Sequence, residues 1–243
     1  MRLVRQALGR ENPSAPVESL RRRLPDDGRE GTAMESPEPA ATRRHRMVEA
    51  LRHEGVRDPR VLAAMDLVPR ERFVAADLAD LAYEDRPLPI HADATVSAPS
   101  IVARMTEALE LTGTERVLEV GTGSGYAAAV LAACAAEVVT LEYDEDLARS
   151  ARDALDATGF GAVEVRHADG ALGAPDRAPF DAVAVTAMAP ELPPALLEQL
   201  APGGVLVAPV GPDRDGMLLR CRAGLTEELG PVRFVALRGA QTR

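Results

Sequence analysis

Three glycines at every second position, Gly121, Gly123 and Gly125, follow an apolar run holding one acid, Glu119, in the stretch Arg116-Val-Leu-Glu-Val-Gly-Thr-Gly-Ser-Gly-Tyr126. A buried strand that breaks into a glycine-rich turn and opens a helix brings backbone close to a nucleotide-type cofactor. The dinucleotide fingerprint G-x-G-x-x-G needs its third glycine where this chain has Tyr126, so the spacing argues against a dinucleotide. A P-loop is excluded as well, because that loop ends in Gly-Lys-Ser/Thr and the chain contains no lysine. Two more acids fall at the ends of the next apolar runs: Glu142, followed by Tyr143, and Asp169, followed by Gly170. Ligands of open α/β sheets lie beyond the carboxyl ends of the strands. Glu119 with Gly121, Thr122, Gly123, Ser124 and Gly125, then Glu142 and Asp169, are therefore expected around one crevice. A glycine-rich turn alone is a weak signal, and an acid at a strand end is an ordinary helix cap. Their succession, each one strand after the last, points to a cofactor site. Asp181, at the start of a fourth apolar run, reads as structural.

The elements that must hold these groups alternate as in a parallel α/β sheet. Apolar strands are expected at 116–121, 137–143, 162–168 and 180–187, separated by helical stretches at 125–134, 145–158 and 193–200. Right-handed crossovers follow. Past Pro202-Gly203-Gly204, runs at 205–210, 217–222 and 232–237 have short connections and no helix between them, which predicts an antiparallel edge. The fold class is thus a doubly wound, mainly parallel α/β sheet with an antiparallel edge, Rossmann-like, over residues 114–243. Residues 45–113 read as an N-terminal helical part that caps this core, so that 45–243 is one domain. Helices are expected from Met47 to Gly55, from Asp58-Pro59 to Pro69, briefly up to Leu81, and over 100–111, with an extended stretch from Tyr83 to Ile90. Residues 1–44 carry Pro13, Pro16, Pro25, Pro37 and Pro39 among charges and few large apolar residues. They are expected to be a disordered extension, with Met34 or Met47 as alternative translation starts.

Composition narrows the partners. The net charge of −10 and an aromatic content of 3% without tryptophan argue against nucleic acid, which would need basic and stacking surfaces. No apolar run reaches the roughly 20 residues of a membrane span. Cys134 and Cys221 lack metal-ligand spacing and read as buried, reduced thiols of a cytoplasmic protein. His45, His53 and His167 read as solvated, and no pair of histidines has ligand spacing. No metal is expected.

The glycine loop with its preceding acid resembles motif I of the S-adenosylmethionine-dependent methyltransferases. That resemblance implies the class I methyltransferase fold and S-adenosyl-L-methionine as cofactor. It places the glycines beside the methionine portion, Glu119 where it orients the loop or the ammonium, Glu142 on both ribose hydroxyls with Tyr143 next to it, and Asp169-Gly170 at the adenine. A second, more specific resemblance lies upstream. The segment Asp85-Arg-Pro-Leu-Pro-Ile-His-Ala-Asp-Ala-Thr-Val-Ser-Ala-Pro-Ser100, preceded by Val68-Pro-Arg-Glu-Arg-Phe-Val74, resembles protein-L-isoaspartate O-methyltransferases. The likeness continues through Val185-Thr-Ala-Met-Ala-Pro-Glu-Leu-Pro193, Leu200-Ala-Pro-Gly-Gly204 and Val232-Arg-Phe-Val235, and covers about residues 46–238.

This family resemblance implies that Ser97 is the active-site residue, that Ala94, Thr95, Val96 and Ser97 itself line the cofactor, and that residues 45–113 bind the acceptor within one catalytic domain, 45–243. It also implies an isoaspartyl protein or peptide as partner, methylated on its α-carboxylate, by a monomer acting in protein repair. Ile90, His91, Val210 and Gly211 are expected to border the peptide groove. An acceptor carboxylate, with an ordinary pKa of roughly 3.3–4, is ionised at neutral pH and needs no general base, so His91 is unneeded in that role. A serine hydroxyl can hold one carboxylate oxygen while the other attacks the methyl. His91-Ala92-Asp93 stands where relatives commonly carry glycine and then glutamine, and Asp93 would bring negative charge near the acceptor. Two other readings stay open. One is a relative dedicated to aspartyl or isoaspartyl methylation of one peptide in a natural-product pathway, with the extension bearing Arg21-Arg22-Arg23 as docking arm. The other is a non-catalytic protein that only binds the cofactor. Transfer of labelled methyl to an isoaspartyl peptide, to a specific aspartyl precursor, or to neither separates the three.

Overall fold

The computed structural model describes residues 38–91 and 93–239, so the expectation of disorder lies outside the described residues as far as residue 37. Residues 40–44, expected in the extension, are instead the opening turn of helix α1, Ala40–His53. Pro39 precedes two alanines, the best helix formers, and Arg43 donates from Nη1 to both the carboxylate and the carbonyl of Asp80 at 3.0 Å. Helix α2, Pro59–Leu67, starts on a proline behind Asp58, whose side chain accepts from the amide of Arg60. Two 3₁₀ turns follow, Arg70–Phe73 and Ala76–Leu81. A two-residue antiparallel pair, β1 (Leu88–Pro89) and β2 (Thr95–Val96), then leads into α3, Pro99–Ala108. That helix ends three residues before the expected 111: Leu109 is its cap and Glu110 turns left-handed at φ 54°.

The core is a seven-stranded sheet. Its strands are β3 (Arg116–Val120), β4 (Glu137–Glu142), β5 (Glu164–His167), β6 (Phe180–Val185), β7 (Leu200–Val210), β8 (Asp215–Arg222) and β9 (Leu225–Arg233). The order is β5-β4-β3-β6-β7-β8-β9, with the first five parallel and the last two antiparallel. Helices α4 (Tyr126–Ala132), α5 (Glu145–Ala157) and α6 (Pro194–Glu198) make the crossovers with a 3₁₀ turn at Gly170–Leu172. Alternation along the strands divides the apolar side chains between two layers. Val117, Val138, Ala182, Val205 and Val207 pack with α1–α4; Leu118, Val139, Leu141, Val183 and Leu206 pack on the other face with Leu196 of α6. Strands buried on both faces read as continuous apolar runs, which is what made β3, β4 and β6 visible.

The third antiparallel run is a correction. It was expected at 232–237, but β9 begins at Leu225, directly after a two-residue turn with φ of 50° at Ala223 and 77° at Gly224. Such a turn matches the strand twist. β9 is the sheet edge, mostly exposed, with Thr226, Glu227, Glu228 and Pro231 along it. Polar residues and proline blunt an edge against further pairing, and they also erase its apolar signature. Residues 234–239 leave the sheet. The amide of Met188 donates to Val235 O and that of Leu237 to Met188 O, both at 2.7 Å, so the segment runs beside the carboxyl end of β6. Cys134 and Cys221 are buried and unpaired. No helix of the described residues is long and apolar enough to cross a membrane.

Candidate active site

Strand order reverses between β3 and β6: the chain runs outward from β3 through β4 to β5, then returns to the other side of β3. In open α/β sheets the crevice at such a switch point receives the ligand. Here it is a cleft walled by residues 94–97, 121–124, Glu142, Tyr143 and Gly170, and by Thr186 with residues 235–238. The sequence-predicted cofactor residues therefore meet, with Glu119, Gly125 and Asp169 set back from the surface of the cleft.

Two glycines are sterically required. Gly121 has φ +99°, and a Cβ there would lie 2.5 Å from Thr186 Oγ1, a hydroxyl that donates to the carbonyls of Gly121 at 2.6 Å and Val120 at 3.0 Å. Gly125, at φ +87°, lets α4 start against α5, where a Cβ would stand 3.3 Å from the carbonyl of Ala151 and from Leu155. The Gly121 amide donates to Leu141 O at 2.8 Å, which ties the loop to β4. Glu142 completes the tie: one carboxylate oxygen accepts from the Gly123 amide at 2.8 Å, the other from Asp144 N at 3.0 Å. Each oxygen keeps a second lone pair, so the same carboxylate that shapes the loop can accept from a pair of vicinal hydroxyls. Charged side chains lining the cleft are Asp93, Glu142, Asp144 and Arg238, an acidic balance suited to a sulfonium and an ammonium.

Glu119 sits beneath the cleft and does not line it. Its side chain is fully buried, one oxygen accepts from Thr140 Oγ1 at 2.5 Å, and Thr140 shares a 2.6 Å hydrogen bond with Thr122 of the loop. The other oxygen has no partner among the described residues. Burial, opposed by the Thr140 bond and reinforced by the nearby Glu142, pushes the carboxyl up to about 8. Of the two roles expected for it, orienting the loop is the one this geometry serves. A pH dependence follows. The unfolded chain releases this proton near 4.5 and the folded one near 8, so the unfolded state binds fewer protons between these values and stability falls as pH rises through that window. Glu119→Gln is expected to flatten the decline of melting temperature between pH 5 and 8; an unchanged slope would contradict the assignment.

Asp169 caps the 3₁₀ turn that follows β5. Its carboxylate accepts from Ala171 N at 3.0 Å, and it lies close against Gly239, where a Cβ would be 2.1 Å from Oδ1. Gly170 packs on Val120, with no room for a side chain, and faces the cleft. Ser97 lines the cleft with its hydroxyl unbonded among the described residues. It does not cap α3, since Ala98 holds the cap position without a side-chain bond. Ile90 lies at the loop, its Cδ1 3.6 Å from a Cβ built on Gly123. His91 is exposed and starts a tight turn closed by Ala94 N donating to His91 O. Within that turn Asp93 takes φ +60°, a conformation that favours glycine and that aspartate tolerates better than most. Val210 and Gly211 do not line the cleft. Gly211 belongs to a neighbouring depression with Met188, Arg214 and Ala236, and Ala236 also lines the cleft.

Sequence reasoning missed the wall formed by Thr186 and residues 235–238. Thr186 is one ordinary threonine after an apolar strand, and the C-terminal segment was read as a strand, so neither carried a local signal. Arg70, fully buried behind Ser97, was also missed.

Residues 42–241 match the family model described as "Protein-L-isoaspartate(D-aspartate) O-methyltransferase (PCMT)". A protein-L-isoaspartate O-methyltransferase of Pelobacter propionicus is 53% identical over 199 residues, 79% of this chain and 88% of that one. One from Methanoculleus marisnigri is 50% identical over 207 residues, 83% of this chain and 94% of that one. Among solved structures, a Plasmodium falciparum chain described as a protein-L-isoaspartate O-methyltransferase, in complex with S-adenosyl-L-homocysteine, superposes with a TM-score of 0.69. It is 26% identical and the match covers 80% of this chain and 98% of that one.

Proposed function

The chain belongs to the protein-L-isoaspartate(D-aspartate) O-methyltransferase family, and from that premise we propose how its cleft methylates the α-carboxylate of L-isoaspartyl residues in altered proteins and peptides. The observation that carries the reading is the meeting of residues 94–97 with the glycine loop and Glu142 across one cleft. S-adenosyl-L-methionine, when bound, supplies a methyl group on a positively charged sulfur. The backbone of residues 121–124 would hold its methionine portion, Glu142 would accept from its ribose hydroxyls, and Tyr143 and Gly170 would border its adenine. Asp169 then acts through the turn it caps.

Ser97 faces the same space from the acceptor side. Its free hydroxyl donates to one oxygen of the incoming carboxylate and leaves the other to attack. Ser97 would thereby hold the attacking oxygen in line with the methyl group that the cofactor would supply, the electron pair of the broken carbon–sulfur bond leaving with S-adenosylhomocysteine. No proton moves in this step, so no general base is required. The task is orientation, which is where enclosure in a cleft is most effective. The methyl ester carries a better leaving group than the free acid, so after release the following backbone nitrogen attacks the ester carbonyl, methanol leaves and a succinimide closes, whose hydrolysis restores part of the aspartate. Peptide acceptors reach the cleft past Ile90 and His91 on one side and the depression at Gly211 on the other. One chain supplies both walls, so the reading includes a monomer. Its two unpaired buried thiols fit the reducing cytoplasm.

The test is repair itself. An Asn-Gly peptide aged to a mixture of aspartyl and isoaspartyl forms is incubated with the protein and S-adenosyl-L-methionine. The isoaspartyl fraction is expected to fall over repeated cycles as the aspartyl fraction rises. A fraction unchanged against a cofactor-free control would overturn the proposal.

A further inference from the structure

We infer that Arg70 is a positioning residue for methyl transfer, holding the backbone of Ser97 against the helix that opens from the glycine loop. The inference rests on the proposed role of Ser97. Arg70 has no exposure to solvent and no carboxylate within salt-bridge distance among the described residues. Its donors go to three carbonyls, two in the loop over 82–86 and one at Ser97: Nε to Ala82 at 2.6 Å, Nη2 to Arg86 at 3.3 Å and Nη1 to Ser97 at 2.9 Å. The guanidinium carbon lies 5.0 Å from the centre of the Tyr126 ring, and Tyr126 is the first residue of α4, directly after Gly125. Asp85, which accepts from Ser100 N at 2.8 Å at the start of α3, is near enough to favour the guanidinium charge but makes no ion pair with it.

A buried cation without a direct ion-pair partner is costly, and an apolar side chain of similar volume would fill the space without that cost. What an apolar residue, or a lysine, cannot do is donate in one plane to three fixed carbonyls while stacking on an aromatic ring. One of those carbonyls belongs to the residue whose hydroxyl must meet the acceptor. The ring belongs to the cofactor side. Arg70 thus spans the two halves of the cleft from behind, touching neither substrate nor cofactor, and sets the distance between them. In-line transfer is sensitive to displacements of about 1 Å, so slack at this post appears in turnover and leaves cofactor affinity alone.

The experiment is a double-mutant cycle on the full chain with R70K, S97A and the pair. It reads turnover on an isoaspartyl peptide, affinity for S-adenosyl-L-homocysteine by calorimetry, and melting temperature. R70K is expected to lower kcat by about 10- to 100-fold with cofactor affinity held within about threefold. In the S97A background the same change should cost less than about twofold, because residues acting as one unit are non-additive. An equal loss in both backgrounds, or full turnover in R70K, overturns the inference. S97A with unimpaired turnover removes the Ser97 reading and this inference with it, an outcome told apart by that single variant. If R70K does not fold, R70Q, which carries no buried charge, runs through the same cycle with the same outcomes.

Discussion

Glu142→Ala is expected to weaken cofactor binding by about 100-fold, because it removes a charged acceptor from two ribose hydroxyls at about 1.5–3 kcal/mol for each such bond, partly replaced by water. The loss has a second source in the structure. The same carboxylate accepts from the amides of Gly123 and Asp144, so its removal frees the loop as well as the ribose site. Glu142→Gln separates the two. Its amide oxygen retains one neutral acceptor, enough for the Gly123 amide, while its NH₂ group can only donate. An intermediate affinity is expected. Calorimetry with S-adenosyl-L-homocysteine decides the matter, and Glu142→Ala binding within threefold of the parent would contradict the ribose assignment.

Ser97→Ala is expected to act in the opposite way. Turnover should fall by about 10- to 100-fold, the range set by one hydrogen bond to a charged group, with cofactor affinity within about threefold. The hydroxyl makes no bond among the described residues and α3 is capped without it, so folding should be unaffected by the change. In the pH profile of kcat, no acidic limb, the signature of an essential base, is expected near the ordinary histidine pKa. His91 is exposed, and the acceptor is already ionised above pH 5. Retention of full turnover by Ser97→Ala would remove the serine from the chemistry.

What could be read in the sequence follows from how locally each feature is encoded. The glycine loop is encoded within five residues, since positive φ at Gly121 and Gly125 and the crowding at Thr186 and Ala151 admit no other residue without strain. β3, β4 and β6 are buried on both faces, so continuous apolar runs announced them and located Glu142 at a strand end. Ser97 rests on family resemblance, since nothing about one serine before Ala-Pro specifies chemistry. The features that escaped are relations between distant segments. β9 is a polar edge hidden by the residues that protect it. Residues 235–238 enter the cleft only because Met188 pairs with Val235 and Leu237. Arg70 looks like any charge in Arg70-Glu71-Arg72 until three carbonyls from residues 82, 86 and 97 close around it. Glu119 was legible as an acid in a strand, yet its depth beneath the loop depends on Thr140 of the adjacent strand.

If the cleft brings the cofactor methyl to an isoaspartyl α-carboxylate, the enzyme must distinguish that group from an ordinary aspartyl side chain. The most direct measurement is transfer of labelled methyl from S-adenosyl-L-methionine to an isoaspartyl peptide and to its aspartyl twin of identical composition. Base-labile methyl ester is expected on the isoaspartyl peptide and background on the twin. Equal labelling of both, or of neither, would contradict that role of the cleft.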